Sequence, residues 1–211
     1  MANTSRINGF RPVKYLSGAP WTGQVRKYVI PAANGTAVYV GDPVKLDGAG
    51  DDLTGLQTVV LGTAGAAFVG FVVGFEPNGG TSLGGDYMSN GAVDLELPLR
   101  RAASTRRIVY VADDPMLVFE AEMSNGTLTT ADIGLNCSFA IGSPSATTGA
   151  SGAYVDAGTE ATTAALELKL IGFVRRPDNE FSSSGVASGR VLVKINMSQI
   201  LGNTGAVING V

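Results

Sequence analysis

Apolar and polar residues alternate with a period of two along much of this chain. Val93-Asp94-Leu95-Glu96-Leu97 and Leu166-Glu167-Leu168-Lys169-Leu170 place leucine or valine at every second position. Leu117–Met123 sets Leu, Phe, Ala and Met on one face, and Arg190–Asn196 repeats the pattern. Successive strand side chains point to opposite faces, so each run predicts a strand with one buried and one wetter side. Phe68–Val73 and Ile108–Val111 are apolar at both parities, which predicts central strands covered on both faces or lying at a subunit contact. Asn-Gly pairs at Asn8, Asn34, Asn78, Asn90, Asn125 and Asn209 supply residues that tolerate the positive φ of tight turns. Gly41-Asp42-Pro43 and Asp113-Asp114-Pro115 add further turns. No segment carries a sustained helical period, though Met197–Leu201 has room for one helical turn. Many short strands with regular turns predict an all-β sandwich, jelly roll or barrel.

Two stretches depart from the alternation. Residues 1–27 contain Arg6, Arg11, Lys14, Arg26 and Lys27 and no acid, are broken by Pro12 and Pro20, and carry Phe10, Tyr15 and Trp21. A disordered tail has little use for three aromatics. The segment is expected to be an extended arm that binds a neighbour through Arg6, Phe10, Arg11, Lys14, Tyr15 and Trp21; folding back on its own body is the competing expectation. Residues 142–165 are mostly Gly, Ser, Thr and Ala, which predicts a long polar surface loop. Residues 28–211 then form a single β-rich domain, with no repeat of fixed period.

Composition narrows the functional classes. Of 211 residues 45% are hydrophobic and only 16% charged, with a net charge of −3. The surface must therefore be covered by Gly, Ser, Thr and Asn, as suits a subunit with broad contact surfaces. Charge is blocked: residues 42–99 hold eight acids and one lysine, then Arg100, Arg101, Arg106 and Arg107 form a basic cluster. That cluster reads either as a partner-binding patch or as one half of ordinary salt bridges to the acidic blocks. The start lacks the apolar core of a secretory signal, and no apolar run is long enough to span a bilayer as a helix. The expectation is a soluble chain made in a cytoplasm, without a membrane partner.

Candidate chemistry is thin. Gly80-Thr81-Ser82-Leu83-Gly84 matches a nucleophile-elbow pattern, but a serine nucleophile needs a base and the chain has no histidine. The lone Cys137 forms no internal disulfide and is expected to be a small buried residue near a strand. Zinc lacks ligands. Asp47, Asp51 and Asp52 lack the spacing of a calcium loop, and a solvated hairpin tip accounts for them. Glu120 and Glu122 share a strand face at a separation a glycosidase can use, but acids on the wet face of a strand are the simpler reading. Nucleic acid is disfavoured by the acidic pI of about 4.9 and by the lack of a basic, aromatic platform on the body. No enzyme activity and no cofactor are expected.

One set of segments is informative when taken in order: Gly9-Phe10-Arg11-Pro12-Val13-Lys14; Gly41-Asp42-Pro43-Val44; Val69-Gly70-Phe71-Val72; Tyr110–Pro115 with Val118-Phe119-Glu120; and Pro177-Asp178-Asn179-Glu180 ahead of Val191–Asn196. Together they resemble tailed-phage head proteins of the cement or decoration class. The resemblance implies a jelly-roll-like β-sandwich with an extended N-terminal arm, a homotrimer, and the major capsid protein as partner. It implies residence on the capsid surface of the virion and no catalysis. Another virion component, such as a head fibre or tail protein, and a carbohydrate- or receptor-binding β module remain the alternative classes.

Overall fold

The computed structural model describes residues 3–76, 100–182 and 184–201. The Gly80–Gly84 motif and the Val93–Leu97 alternation lie outside them. The described chain is all-β, with one 3₁₀ turn at Thr130–Asp132. Its strands are β1 (Arg11–Tyr15), β2 (Arg26–Ile30), β3 (Val38–Tyr39), β4 (Pro43–Gly50), β5 (Gln57–Leu61), β6 (Gly70–Phe75), β7 (Arg100–Arg101), β8 (Arg107–Ala112), β9 (Leu117–Ser124), β10 (Asn136–Ile141), β11 (Ala153–Ala161), β12 (Leu168–Phe173) and β13 (Arg190–Ile195). The long alternating runs became β9, β12 and β13, each with its apolar parity buried.

The sheets close into two five-stranded barrels packed together. In the first, β2-β5-β4-β6-β8 form a closed ring. In the second, β9-β11-β10-β12-β13 run in order and β13 returns to pair with β9. The connectivity is the same in both. The first strand of each pairs parallel with its third and antiparallel with its fifth; the second pairs antiparallel with the third and the fourth; the fourth and fifth pair antiparallel. Even the irregularity recurs. The register on the fourth strand slips between Val72 and Gly74 in one barrel and between Leu170 and Gly172 in the other, and Phe75 and Phe173 follow. A bulge of this kind sharpens strand twist, which a small barrel needs. The described residues from Arg26 to Ala112 and from Leu117 to Ile195 are thus two versions of one β unit.

The doubly apolar run at residues 68–73 finds both its faces covered inside the chain. Val69 and Val72 fill the first barrel with Tyr28, Val44, Val59 and Val109. Phe68 and Phe71 point into the second core, where Phe71 meets Phe119 at 4.7 Å and Phe68 meets Phe139 at 5.4 Å, both edge to face. The apolar excess on these strands therefore needs no second subunit to cover it.

The N-terminal segment is extended, but it is seated on its own body. Phe10 is 1% exposed and stacks on Phe71 with centroids 4.1 Å apart. Its N–H donates to Gly41 O at 3.0 Å. Gly9 and Gly41, both at positive φ, let the two backbones meet: a Cβ on Gly9 would lie 2.7 Å from Gly41 Cα. β1 then pairs antiparallel with β9, from Arg11 opposite Glu120 to Tyr15 opposite Leu117. The expected free arm is corrected here: burying Phe10 gives about 2–3 kcal/mol, more than a tethered segment gains in water. The expected loop at 142–165 is also corrected. It contains β11, whose Ala153, Val155 and Ala157 face the core, so small residues there serve close packing. Residues 199–201 form a turn rather than a helix.

Candidate interaction surface

The basic cluster resolves into structural cations. Arg101 is 0% exposed. Its guanidinium donates to four carbonyls, those of Thr105, Thr36, Pro31 and Asn34, at 2.6–2.8 Å. It ties the 31–36 loop to the 102–105 turn, and burial lowers its pKa. Arg107 is buried as well. Arg106 grips Asp51 through two bonds, at 2.9 and 2.6 Å; this pairing holds the Asp51 carboxyl well below the usual carboxylate range. Arg100 stays partly exposed and reaches Ala146 O. Arg101 and Arg107 are therefore not available to a partner, and Arg106 is already engaged, as the salt-bridge reading allowed.

The groups weighed for catalysis are engaged too. Glu122 is 1% exposed and accepts from Ser5 Oγ and from the Arg6 N–H. Glu120 pairs with Arg176 and lies 3.9 Å from Arg190 Nη1. Both carboxylates thus anchor the N-terminal segment and the turn after β12. Cys137 is buried on β10, and burial, with Glu167 and Glu160 nearby, pushes its thiol up to about 12. Among the described residues no three His, Cys, Asp or Glu side chains gather as a metal site, and no helix is long and apolar enough to cross a membrane.

The outward side of the N-terminal segment carries several of the exposed apolar side chains. Val13, Leu16 and Val25 are 41%, 48% and 39% exposed, and Met116, in the link between the barrels, is 52% exposed. Leu16 N–H donates to Met116 O at 2.8 Å, which sets these two side by side. Lys14 is exposed on the same strand. Tyr15 and Trp21 are half-buried and pack on the second core; Trp21 Nε1 donates to Gln24 O and Tyr15 Oη to Gln24 Oε1, both at 3.2 Å. They act as clamps that hold the ledge rather than as free anchors. Bound apolar ledges with a cationic edge suit docking of an acidic protein surface.

Beside the ledge runs a groove of about 770 Å³ between the 4–11 segment, β9, β13 and the 176–180 turn. Arg190 forms its floor, donating to Asn8 Oδ1 at 2.9 Å and Arg6 O at 2.6 Å. Asn179 bolts the turn down: its Nδ2 donates to Val174 O and Arg190 O, and its Oδ1 accepts from Arg190 N–H. Arg6 and Arg11 line the groove, and among the described residues neither guanidinium has an ion pair. Of the residues expected to bind a partner, the structure therefore brings Arg6 and Arg11 together along the groove, leaves Lys14 exposed on β1, and withdraws Phe10, Arg101 and Arg107 into the body. Val13, Leu16, Met116, Arg176 and Arg190 are additions that sequence alone did not mark; Arg190 showed only as the start of a strand. Compared with protein-family models, with curated proteins and with solved structures, the chain matches none.

Proposed function

We propose that this chain is a virion structural protein that binds the outside of a tailed-phage capsid and cements or decorates the shell through protein contacts, without catalysis. The major capsid protein is its partner, and self-association as a homotrimer belongs to the same proposal. The observation that carries it is the pair of exposed side chains Leu16 and Met116, set side by side by a backbone hydrogen bond, with Val13 and Val25 also exposed on the N-terminal segment. A preorganised surface loses little entropy on docking. The particle is proposed from the resemblance of the ordered sequence segments to head decoration proteins. Several copies gripping a shell together turn weak single contacts into strong retention.

The test is to add the purified protein to undecorated heads of the phage that encodes it, then measure co-sedimentation and copy number against the shell protein. Saturable binding at a fixed ratio is expected, with sedimentation of the free protein reporting a trimer. Heads that pellet without the chain at micromolar concentration sink the proposal. Leu16→Asp and Met116→Asp, both on exposed positions, should reduce occupancy without lowering the melting temperature.

A further inference from the structure

We infer that Asn34-Gly35 is a self-modification site, at which the Gly35 backbone nitrogen displaces ammonia from the Asn34 side chain. The pair sits in the loop between β2 and β3, and the fold places hydrogen-bond donors at both points where this reaction builds negative charge. Attack requires the Gly35 N–H to ionise, and the resulting charge is shared with the carbonyl oxygen of the same peptide, Asn34 O. That oxygen accepts from Arg101 Nη2 at 2.7 Å and from Ser104 N–H at 2.9 Å. The buried Arg101 guanidinium favours the ionised peptide. The second charge develops on Asn34 Oδ1 when the nitrogen adds to Cγ, and Oδ1 already accepts from Thr36 N–H at 2.8 Å. Donors fixed in advance where charge appears lower the barrier. The N–Cγ bond forms and the Cγ–Nδ2 bond breaks; the Gly35 proton passes to water, and Nδ2 takes up a proton and leaves as ammonia. Water then opens the cyclic imide at either carbonyl, giving aspartate or isoaspartate. The other Asn-Gly pairs among the described residues are set differently. Gly9 is buried, with its backbone wedged against Gly41. Asn125 Nδ2 donates to the Asp156 carboxylate at 2.9 Å, an anion that opposes ionisation of the adjoining peptide, and Gly126 packs against the Ala157 backbone. Gly35 is exposed, with open space where a Cβ would sit. Isoaspartate at this position carries an extra main-chain carbon, which displaces the Asn34 carbonyl and removes one of the four ties that Arg101 makes.

The purified chain is held in mildly alkaline buffer, folded and, in parallel, unfolded in guanidinium chloride. Mass spectrometry of the tryptic peptide spanning residues 28–45, in which Asn34 is the sole asparagine, follows imide and acid, and isoaspartyl methyltransferase labels the isoaspartate. Asn34 should react about tenfold or more faster in the folded chain than in the unfolded one, while Asn8 and Asn125 react more slowly folded than unfolded. Gly35→Ala has room for its Cβ and should keep the melting temperature, but a methyl beside the attacking nitrogen should slow the loss of ammonia about tenfold or more. Arg101→Lys, held at a temperature where circular dichroism shows it folded, should bring Asn34 back toward the unfolded rate. A folded rate at Asn34 equal to or below the unfolded one overturns the inference, and that comparison needs no variant. Reaction at Asn125 as fast as at Asn34, or a folded Arg101→Lys chain that reacts at the parent's rate, overturns it as well.

Discussion

Asp42 is the carboxylate whose removal should strengthen the protein. It lies in the turn between β3 and β4, is 2% exposed, accepts from Tyr39 N–H at 2.8 Å and takes a hydrogen bond from Ser151 Oγ of the second barrel. Burial is the largest influence on it and pushes its pKa up to about 6; the two hydrogen bonds only partly offset this. In the unfolded chain it titrates near the ordinary value of about 4. Between those two pH values the native state holds more protons than the unfolded one, so stability falls as pH rises from about 4 to about 6 and is level above that. The ionised carboxylate thus costs the native state about 3 kcal/mol at pH 7. Asp42→Asn keeps an acceptor for Tyr39 or Ser151 and removes the charge. It should raise stability at pH 7 by about 1–3 kcal/mol and flatten the acid-side slope. Urea titrations from pH 4.5 to 7.5, read by the fluorescence of Trp21, the sole tryptophan, measure both. Comparison with the parent at each pH is essential, because Asp51 has the opposite linkage: its depressed pKa contributes stability that is lost as pH falls. An Asn variant that is less stable at pH 7 and keeps the parent's slope between pH 4.5 and 6 would refute the reasoning.

Three further outcomes follow from the packing. Phe10→Ala removes a buried ring stacked between the barrels and should cost about 3–5 kcal/mol by urea denaturation; an unchanged midpoint would return Phe10 to the role of free anchor. Arg101→Lys keeps the charge but offers three donors on one nitrogen in place of a fork that spans four carbonyls, and should lose about 2–3 kcal/mol by the same assay. Deleting residues 1–22 takes away β1 and Phe10 and strips the β9 edge; the truncated chain should be cleaved by protease much faster than the parent, and equal resistance would show that the segment is dispensable to the fold.

The strands were legible because their information is local. Leu117–Met123 and Arg190–Asn196 keep an apolar residue at every second position, and that parity faces the core, although Val118 and Glu122 on the other parity are buried too. The all-β class and the scarcity of helix followed from that pattern and from the turn residues. The duplicated barrel was not legible. Connectivity and register are satisfied by any sequence with apolar residues at the right parity, so β2 and β9 play the same part with almost no shared residues. Their common trace is a bulge before Gly74-Phe75 and Gly172-Phe173, too short to stand out in one chain.

The candidate surface divided the same way. Sequence alone determined that the first 27 residues carry cations and apolar side chains without acids, and that the chain lacks histidine. Only the tertiary structure decided which of those side chains remain outside. Phe10 is withdrawn because Phe71, 61 positions later, presents a ring to stack on; Arg101 is withdrawn because four loop carbonyls converge where no strand pairs them. Arg6 and Arg11 stay at the surface beside Arg190, which lies some 180 positions away in the chain. Burial and exposure depend on partners brought together by chain closure over long separations, and a linear pattern carries no record of which distant groups will meet.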